Sequence, residues 1–355
     1  MIRYQHYLLI TITAILLVAC SEGERIQLTP TPSPTPLTEP HIEVITEGLL
    51  GPIGLTQLPD GSLLVAEAGT GNRDNSGGVT LIKPNGQAGR LISGFPSSRD
   101  AGDLAGVNLV ALAPTQDKIY LGNFGQGHLW VLPLTSEQQQ VGLDIPESPL
   151  TADDLTPAMM RLNNVQLTNP FDLTFTPDGI PVVTDASGNG VAIENSNETI
   201  RFFHRFDSLL AELPSNETMS IDPVPTGLTR VNDEYYVTLT GGCPYPSNSG
   251  QLVAIDEQRH QRTVIEGLNM PIDVATDDND TIWLLEFAHF TPGASCFSGE
   301  GYQANSGQLS QLQPSGQRVI MVENLNFPAS VLPINNKSVY ISEVFTGRVL
   351  QITFP

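Results

Sequence analysis

The chain is short of positive charge. Its 355 residues hold 16 Lys and Arg against 38 Asp and Glu, for a formal net charge of -22 and a pI near 4.4. Nucleic-acid binding needs a basic stripe, so that class is set aside. An anionic membrane surface would repel the same surface charge. No long Asp/Glu block occurs, so the acid reads as a solvated globular surface rather than a disordered tail. Catalytic signatures are missing too: there is no HExxH, no Walker A and no G-x-S-x-G. AGTGNRD, FGQGHLW and SGNGVAI lack the third glycine of a dinucleotide loop. They follow one strand and precede another, which makes them hairpin turns. DDND, Asp277 to Asp280, lacks the glycine and distal glutamate of an EF-hand loop and also reads as a turn. Cysteine occurs only at Cys20, Cys243 and Cys296.

Turn formers and apolar residues are plentiful. There are 32 Gly and 28 Pro, and hydrophobic residues make up 40%, enough for a sizeable core in a chain full of turns. The length would allow two domains but also fits one all-β domain. The apolar run Leu8 to Ala19 is too short to span a bilayer comfortably. It ends in Leu17-Val18-Ala19-Cys20-Ser21, which resembles a bacterial lipobox. That resemblance implies a signal peptide over 1–19, lipidation of Cys20 and a domain held at the membrane on the extracytoplasmic side. A plain signal peptide cut nearby is the competing reading. Residues 20–40 contain TPTPSPTP, a semi-rigid tether that cannot pack.

Self-similarity decides the architecture. GPIGLTQLPDGSLLVAEAG begins at Gly51 and AGVNLVALAPTQDKIYLGNFG at Ala105. NPFDLTFTPDGIPVVTDASG begins at Asn169, VPTGLTRVNDEYYVTLTGG at Val224, MPIDVATDDNDTIWLLEFA at Met270 and FPASVLPINNKSVYISEVF at Phe327. Each gives two strands joined by a turn rich in Asp, Asn, Gly or Pro. Third strands follow, as in GGVTLIKP and SGQLVAIDE, and fourth strands in GRLISGF, RTVIEGL and RVIMVENL. Four-stranded units at this period predict an all-β, six-bladed propeller over 41–355. The last unit stops after three strands, while HIEVITEGLLGPIG, from His41, resembles RTVIEGLNMPID, from Arg262. The N-terminal strand is therefore expected to complete the last blade. Thr135 to Leu167 is an irregular insertion with helix expected around Ala152 to Leu162. The outer strands of the third blade are expected to include ETIRFFHRF.

The stretch from Thr46 to Gly71, with Pro-Asp-Gly-Ser-Leu-Leu-Val-Ala-Glu-Ala-Gly-Thr-Gly, resembles the ScyD/ScyE family of six-bladed propellers. More broadly the chain is similar to NHL, regucalcin/gluconolactonase and strictosidine-synthase-like propellers. The gluconolactonase likeness implies a channel metal bound by Glu, Asn and Asp that polarises a lactone carbonyl. The six inner positions here are aligned as Gly54, Asn108, Asp172, Gly227, Asp273 and Ser330, so that ligand pattern is incomplete. The channel rich in Arg and Lys that a quinone-dependent sugar dehydrogenase would carry is not apparent.

The second strands end on Glu67, Asn123, Asp185, Leu239, Glu286 and Glu343. Two readings compete. The acids face a wet channel mouth, or they accept hydrogen bonds from neighbouring turn amides. Asn108, Asp172 and Asp273 are the candidate ligands for Ca²⁺ or Mg²⁺, since hard cations take oxygen donors. His289 is the histidine nearest a predicted mouth and the candidate base, against a satisfied loop histidine; His128 and His204 have weaker claims. Cys243 and Cys296 lie in long loops of adjacent blades and are expected to pair in an exported protein. With Tyr245, Phe297 and Tyr302 those loops form the expected ligand surface. The leading expectation is a monomeric binding module for a protein or small molecule. A metal-dependent lactonase and a carbohydrate or cell-envelope binder are the alternatives.

Overall fold

The second strands of the repeats are deeply buried. Leu63–Glu67, Pro181–Asp185 and Ile282–Glu286 are buried at every residue. A strand with no exposed face has a layer on both sides, which in this fold means a neighbouring blade on each side. The turns are shaped by local chemistry. In Pro59-Asp60-Gly61 the Asp60 carboxylate accepts from the Ser62 amide at 3.0 Å, and Gly61 takes a φ of +84°.

The computed structural model describes residues 39–212, 217–313 and 315–355. The expected signal peptide, Cys20 and the tether up to residue 38 lie outside the described residues. The inner strands are Pro52–Gln57, Val107–Leu112, Pro170–Phe175, Pro225–Val231, Pro271–Thr276 and Pro328–Asn335. Each begins an antiparallel sheet and packs beside the inner strand of the next sheet, with the sixth returning to the first. The protein is therefore a six-bladed β-propeller. His41–Thr46 pairs with Arg348–Thr353, His41 opposite Thr353, and supplies the fourth strand of blade 6. The ring closes as the sequence implies, which leaves fewer open edges.

The core follows from this plan. Six apolar clusters fill the six gaps between blades, and one more lies at an axial mouth around Phe287, Phe290 and Tyr302. Three excursions break the repeat. The fourth strand of blade 1, Ala88–Asp100, overshoots its sheet and returns as Asp103–Ala105. Thr135 to Leu167 holds a short helix, Ser136–Val141, and a single 3₁₀ turn, Ala152–Asp154. The helix expected around Ala152 to Leu162 is instead mostly extended. Thr156–Ala158 is the fourth strand of blade 2, and Pro157 has no amide to continue a helix. Ile200–Arg205, inside ETIRFFHRF, is the outer strand of blade 3, followed by a hairpin of Leu209–Glu212 with Thr218–Ile221.

Candidate binding site

The acids at the ends of the second strands point into their own blades. Glu67, Asp185, Glu286 and Glu343 are each 2% exposed or less. Each accepts from a backbone amide two residues before the opening proline of its blade: Leu50 at 2.6 Å, Thr168 at 2.9 Å, Asn269 at 2.7 Å and Asn326 at 2.8 Å. Glu67 and Glu286 also meet an arginine of the fourth strand, Arg90 and Arg318, and Glu343 meets Arg348 of the third. The placement at a wet mouth is thus corrected. These carboxylates tie the loop between blades to the second strand. Asn123 is equally buried, with Nδ2 donating to the Phe124 carbonyl, and Leu239 has no polar head. The residues that face the axis come one later: Ala186, Thr240, Phe287 and Val344. A one-residue step in a strand changes the face, and that step separates the clamp from the site.

A bulge recurs near the start of every inner strand, where the register shifts after the opening proline or its equivalent. It turns two consecutive side chains toward the axis at different depths. Ile53, Phe171, Thr226, Ile272 and Ala329 line an upper vestibule; Gly54, Asp172, Asp273 and Ser330 lie around a lower cavity. Val107 pairs with Asn123 as Pro271 pairs with Glu286, and Leu109 pairs with Gly122 as Asp273 pairs with Leu285. Asn108 therefore belongs to the upper layer, and Leu109 takes the lower position. The alignment that grouped Asn108 with the two aspartates is one residue out of register. Asn108 nevertheless borders both cavities.

The lower cavity is small, about 20 Å³, which is room for a single water or ion. Asp172 and Asp273 approach each other there beside Gly227, where a Cβ would meet Asp273 Cα at 2.4 Å. Asp172 Oδ2 accepts from the Leu228 amide of blade 4 at 2.6 Å. Asp273 Oδ2 accepts from the Val331 amide of blade 6 at 2.7 Å. Each Oδ1 takes the amide of its own following residue. Burial lifts both acids above the usual carboxylate range, Asp273 to about 6, and the charge of Asp273 lifts Asp172 further. Two carboxyls so placed share a proton. The donors suit a hard cation in kind, and Asn108 Oδ1 is buried without a partner. A Ca²⁺ ion takes about six to eight oxygens; Asp172 and Asp273 could supply up to four and Asn108 one, so a cation here would need water to complete its shell. Among the described residues no group of three His, Cys, Asp or Glu side chains gathers as a metal site.

The upper vestibule is larger, about 140 Å³. Its wall is mainly apolar, with Met270, Ile272, Phe287, Val344 and Phe345 joined by Leu104 and Phe171. Asp103 stands at its edge on the turn that overshoots blade 1. The Tyr302 hydroxyl donates to Asp103 Oδ1 at 2.5 Å, and the Tyr245 hydroxyl to Oδ2 at 3.1 Å. Burial pushes the Asp103 carboxyl up, and the two phenols pull it back only in part. Both phenols are raised, by burial first and by the Asp103 charge second. Cys243 and Cys296 form a disulfide that ties the loops carrying the tyrosines. A Cβ on Gly102 would meet the Cys296 carbonyl at 2.6 Å, so the blade 1 turn closes directly onto that loop.

Of the ligand-surface residues expected from sequence, Tyr245 and Tyr302 line the vestibule and Phe297 does not, standing 74% exposed outside it. His289 is exposed, and its backbone amide donates to Ser306 Oγ. It does not line the vestibule or the lower cavity. His128 packs edge-on against Trp130 with Nδ1 on the Gln126 carbonyl, and burial lowers its pKa. His204 Nε2 contacts Gln261 Oε1. Asp103 and the phenylalanines of the vestibule were not singled out by sequence. Asp103 sits in an excursion with no counterpart in the other repeats. Phe287 and Phe345 follow the acids that drew notice.

No protein-family model and no curated protein matches the chain. Solved structures do. A gluconolactonase from Xanthomonas campestris superposes with a TM-score of 0.59 at 12% identity, covering 90% of this chain and 91% of that one. A streptogramin B lyase gives 0.51 at 12%, covering 89% and 98%. Virginiamycin B lyase from Staphylococcus aureus gives 0.52 at 12%, covering 89% and 99%. These neighbours are six-bladed propellers of the gluconolactonase and virginiamycin B lyase type. At such identity the likeness is one of fold.

Proposed function

We propose that this protein is a small-molecule-binding module and that the axial vestibule is its site. The observation that carries this reading is a concave, mostly apolar cavity with a few convergent polar groups, held by a disulfide and by loops from several blades. Its size, about 140 Å³, suits a ligand near benzene in bulk. Ala329 is 4% exposed and lines the cavity, so Ala329→Leu would fill it. Thermal unfolding of the full-length protein against a panel of small ligands tests the idea. A compound that raises Tm in wild type and not in Ala329→Leu supports it. A panel in which no compound discriminates the two proteins sinks it.

A metal-dependent lactonase acting at the lower cavity is the second reading. It is favoured by the convergence of Asp172 and Asp273 beside the unpartnered Asn108 Oδ1. Asp172, Asp273 and Asn108 would hold Ca²⁺ or Mg²⁺, whose chemistry would be to polarise a carbonyl. Melting with EDTA and then with either ion decides: a Tm indifferent to both removes this reading. We further propose export, a lipid anchor at Cys20 and a place among the ScyD/ScyE propellers, on the lipobox and the Thr46 to Gly71 pattern. Cys20→Ser should move the protein from the membrane fraction to the soluble one; retention in membranes would refute the anchor.

A further inference from the structure

We propose that the vestibule is built for a small organic cation, an alkylated ammonium whose head lies among aromatic rings and faces Asp103. The proposal rests on the binding-module reading and names its ligand class. Among the residues that line the cavity, Asp103 is the single charged one, and no Lys, Arg or His joins it. Five of the liners are aromatic: Phe171, Tyr245, Phe287, Tyr302 and Phe345. In a chain that is 6% aromatic this is a local concentration. The rings hold one another in fixed tilts, Phe287 edge-on to Tyr302 at 5.3 Å between centroids and Tyr245 inclined to Tyr302 at 5.9 Å.

The placement of charge decides the class. A cation gains from aromatic π-faces and from a carboxylate in a dry site, whereas an anion would meet Asp103 with nothing to offset it. A neutral ligand would leave that carboxylate desolvated with no countercharge inside the cavity. The two phenols occupy one acceptor position on each oxygen, and a carboxylate offers about four, so Asp103 can still face a cation. The neighbouring charges are Asp100 and Arg99, and Arg99 spends one guanidinium nitrogen on the Gly102 carbonyl at 2.9 Å. The rival account is a latch: Asp103 holds the two loops together and serves no ligand. A latch would leave the vestibule indifferent to ligand charge.

The test is calorimetric titration of the full-length protein with choline and with its neutral carbon analogue, 3,3-dimethylbutan-1-ol. The expected result is that choline binds about tenfold or more tightly than the alcohol. Asp103→Asn should abolish that preference, bringing choline down to the affinity of the alcohol. Phe345→Leu, at a position 40% exposed, should weaken choline several-fold and the alcohol less. Equal binding of the two probes, or a preference that survives Asp103→Asn, overturns the cation proposal and leaves the binding module standing. Failure of both probes, together with a ligand panel that never shifts Tm, removes both.

Discussion

Glu286 and Asp273 belong to one blade and sit on neighbouring strands, yet they live in opposite electrostatic settings. Glu286 meets Arg318, the Asn269 amide and Gln308, so its charge is answered by its own blade. Asp273 meets backbone amides and a second aspartate, with no cation in reach among its partners. The first arrangement recurs at Glu67 and Glu343 and is architecture. The second occurs once, on the axis, and its unanswered charge is what leaves it open to a proton or an ion. Repetition thus separates structural acids from special ones, provided the partners are counted along with the positions.

This contrast can be broken, and the heaviest blow falls on the clamp. Glu286→Ala leaves Arg318 partly buried and unpaired, and should cost about 3–5 kcal/mol, read as a lowered urea midpoint. A loss under ~1 kcal/mol would mean that solvent already screens the pair. Next comes pH. The folded pKa of Asp273 lies above its unfolded value, so the native state binds more protons between about pH 4 and about pH 6. Its contribution is full below that window and lost as pH rises through it. Asp273→Asn should therefore flatten the stability profile there by about 2 kcal/mol. Urea midpoints across that range, wild type against variant, are the check, and parallel profiles would contradict the shared-proton pair.

Asp172→Asn should have a smaller effect. The carboxamide keeps one backbone amide but sets Nδ2 against the other, while it removes the like charge beside Asp273, so the loss at neutral pH should be about 1–2 kcal/mol. A loss as large as that of Glu286→Ala would erase the distinction between the two settings. The least effect is expected at Glu234. Its pair with Arg262 is exposed, 32% and 50%, and Glu234→Ala should change stability by no more than about 0.5 kcal/mol.

Much of the fold was legible because a propeller writes its plan repeatedly. Pro-x-(small or acid) openings located the inner strands, and the misplaced fourth strand at His41 revealed the closure. The Cys243–Cys296 pairing was readable from two loops of like composition in adjacent blades. The site was legible in part. Asp172 and Asp273 were found since both occupy the same repeat position. Asn108 was placed one residue off because blade 2 opens on Val107 where the other blades have proline, which left the alignment without its anchor there. The acids at the second strand ends drew attention, while the axis belonged to the residues after them. Asp103 lay beyond such reasoning altogether: its excursion has no sister copy, and only three-dimensional closure brings it to Tyr302, far along the chain.

The pairing of His41–Thr46 with Arg348–Thr353 has a consequence for how the molecule comes into being. Among the described strands, the earliest to emerge has the latest as its partner. Throughout synthesis it must wait unpaired, an open edge beside growing blades. Ring closure thus waits until Arg348–Thr353 has been made. A chain cut short before Arg348 loses more than that strand, since His41–Thr46 is then left without a place to dock.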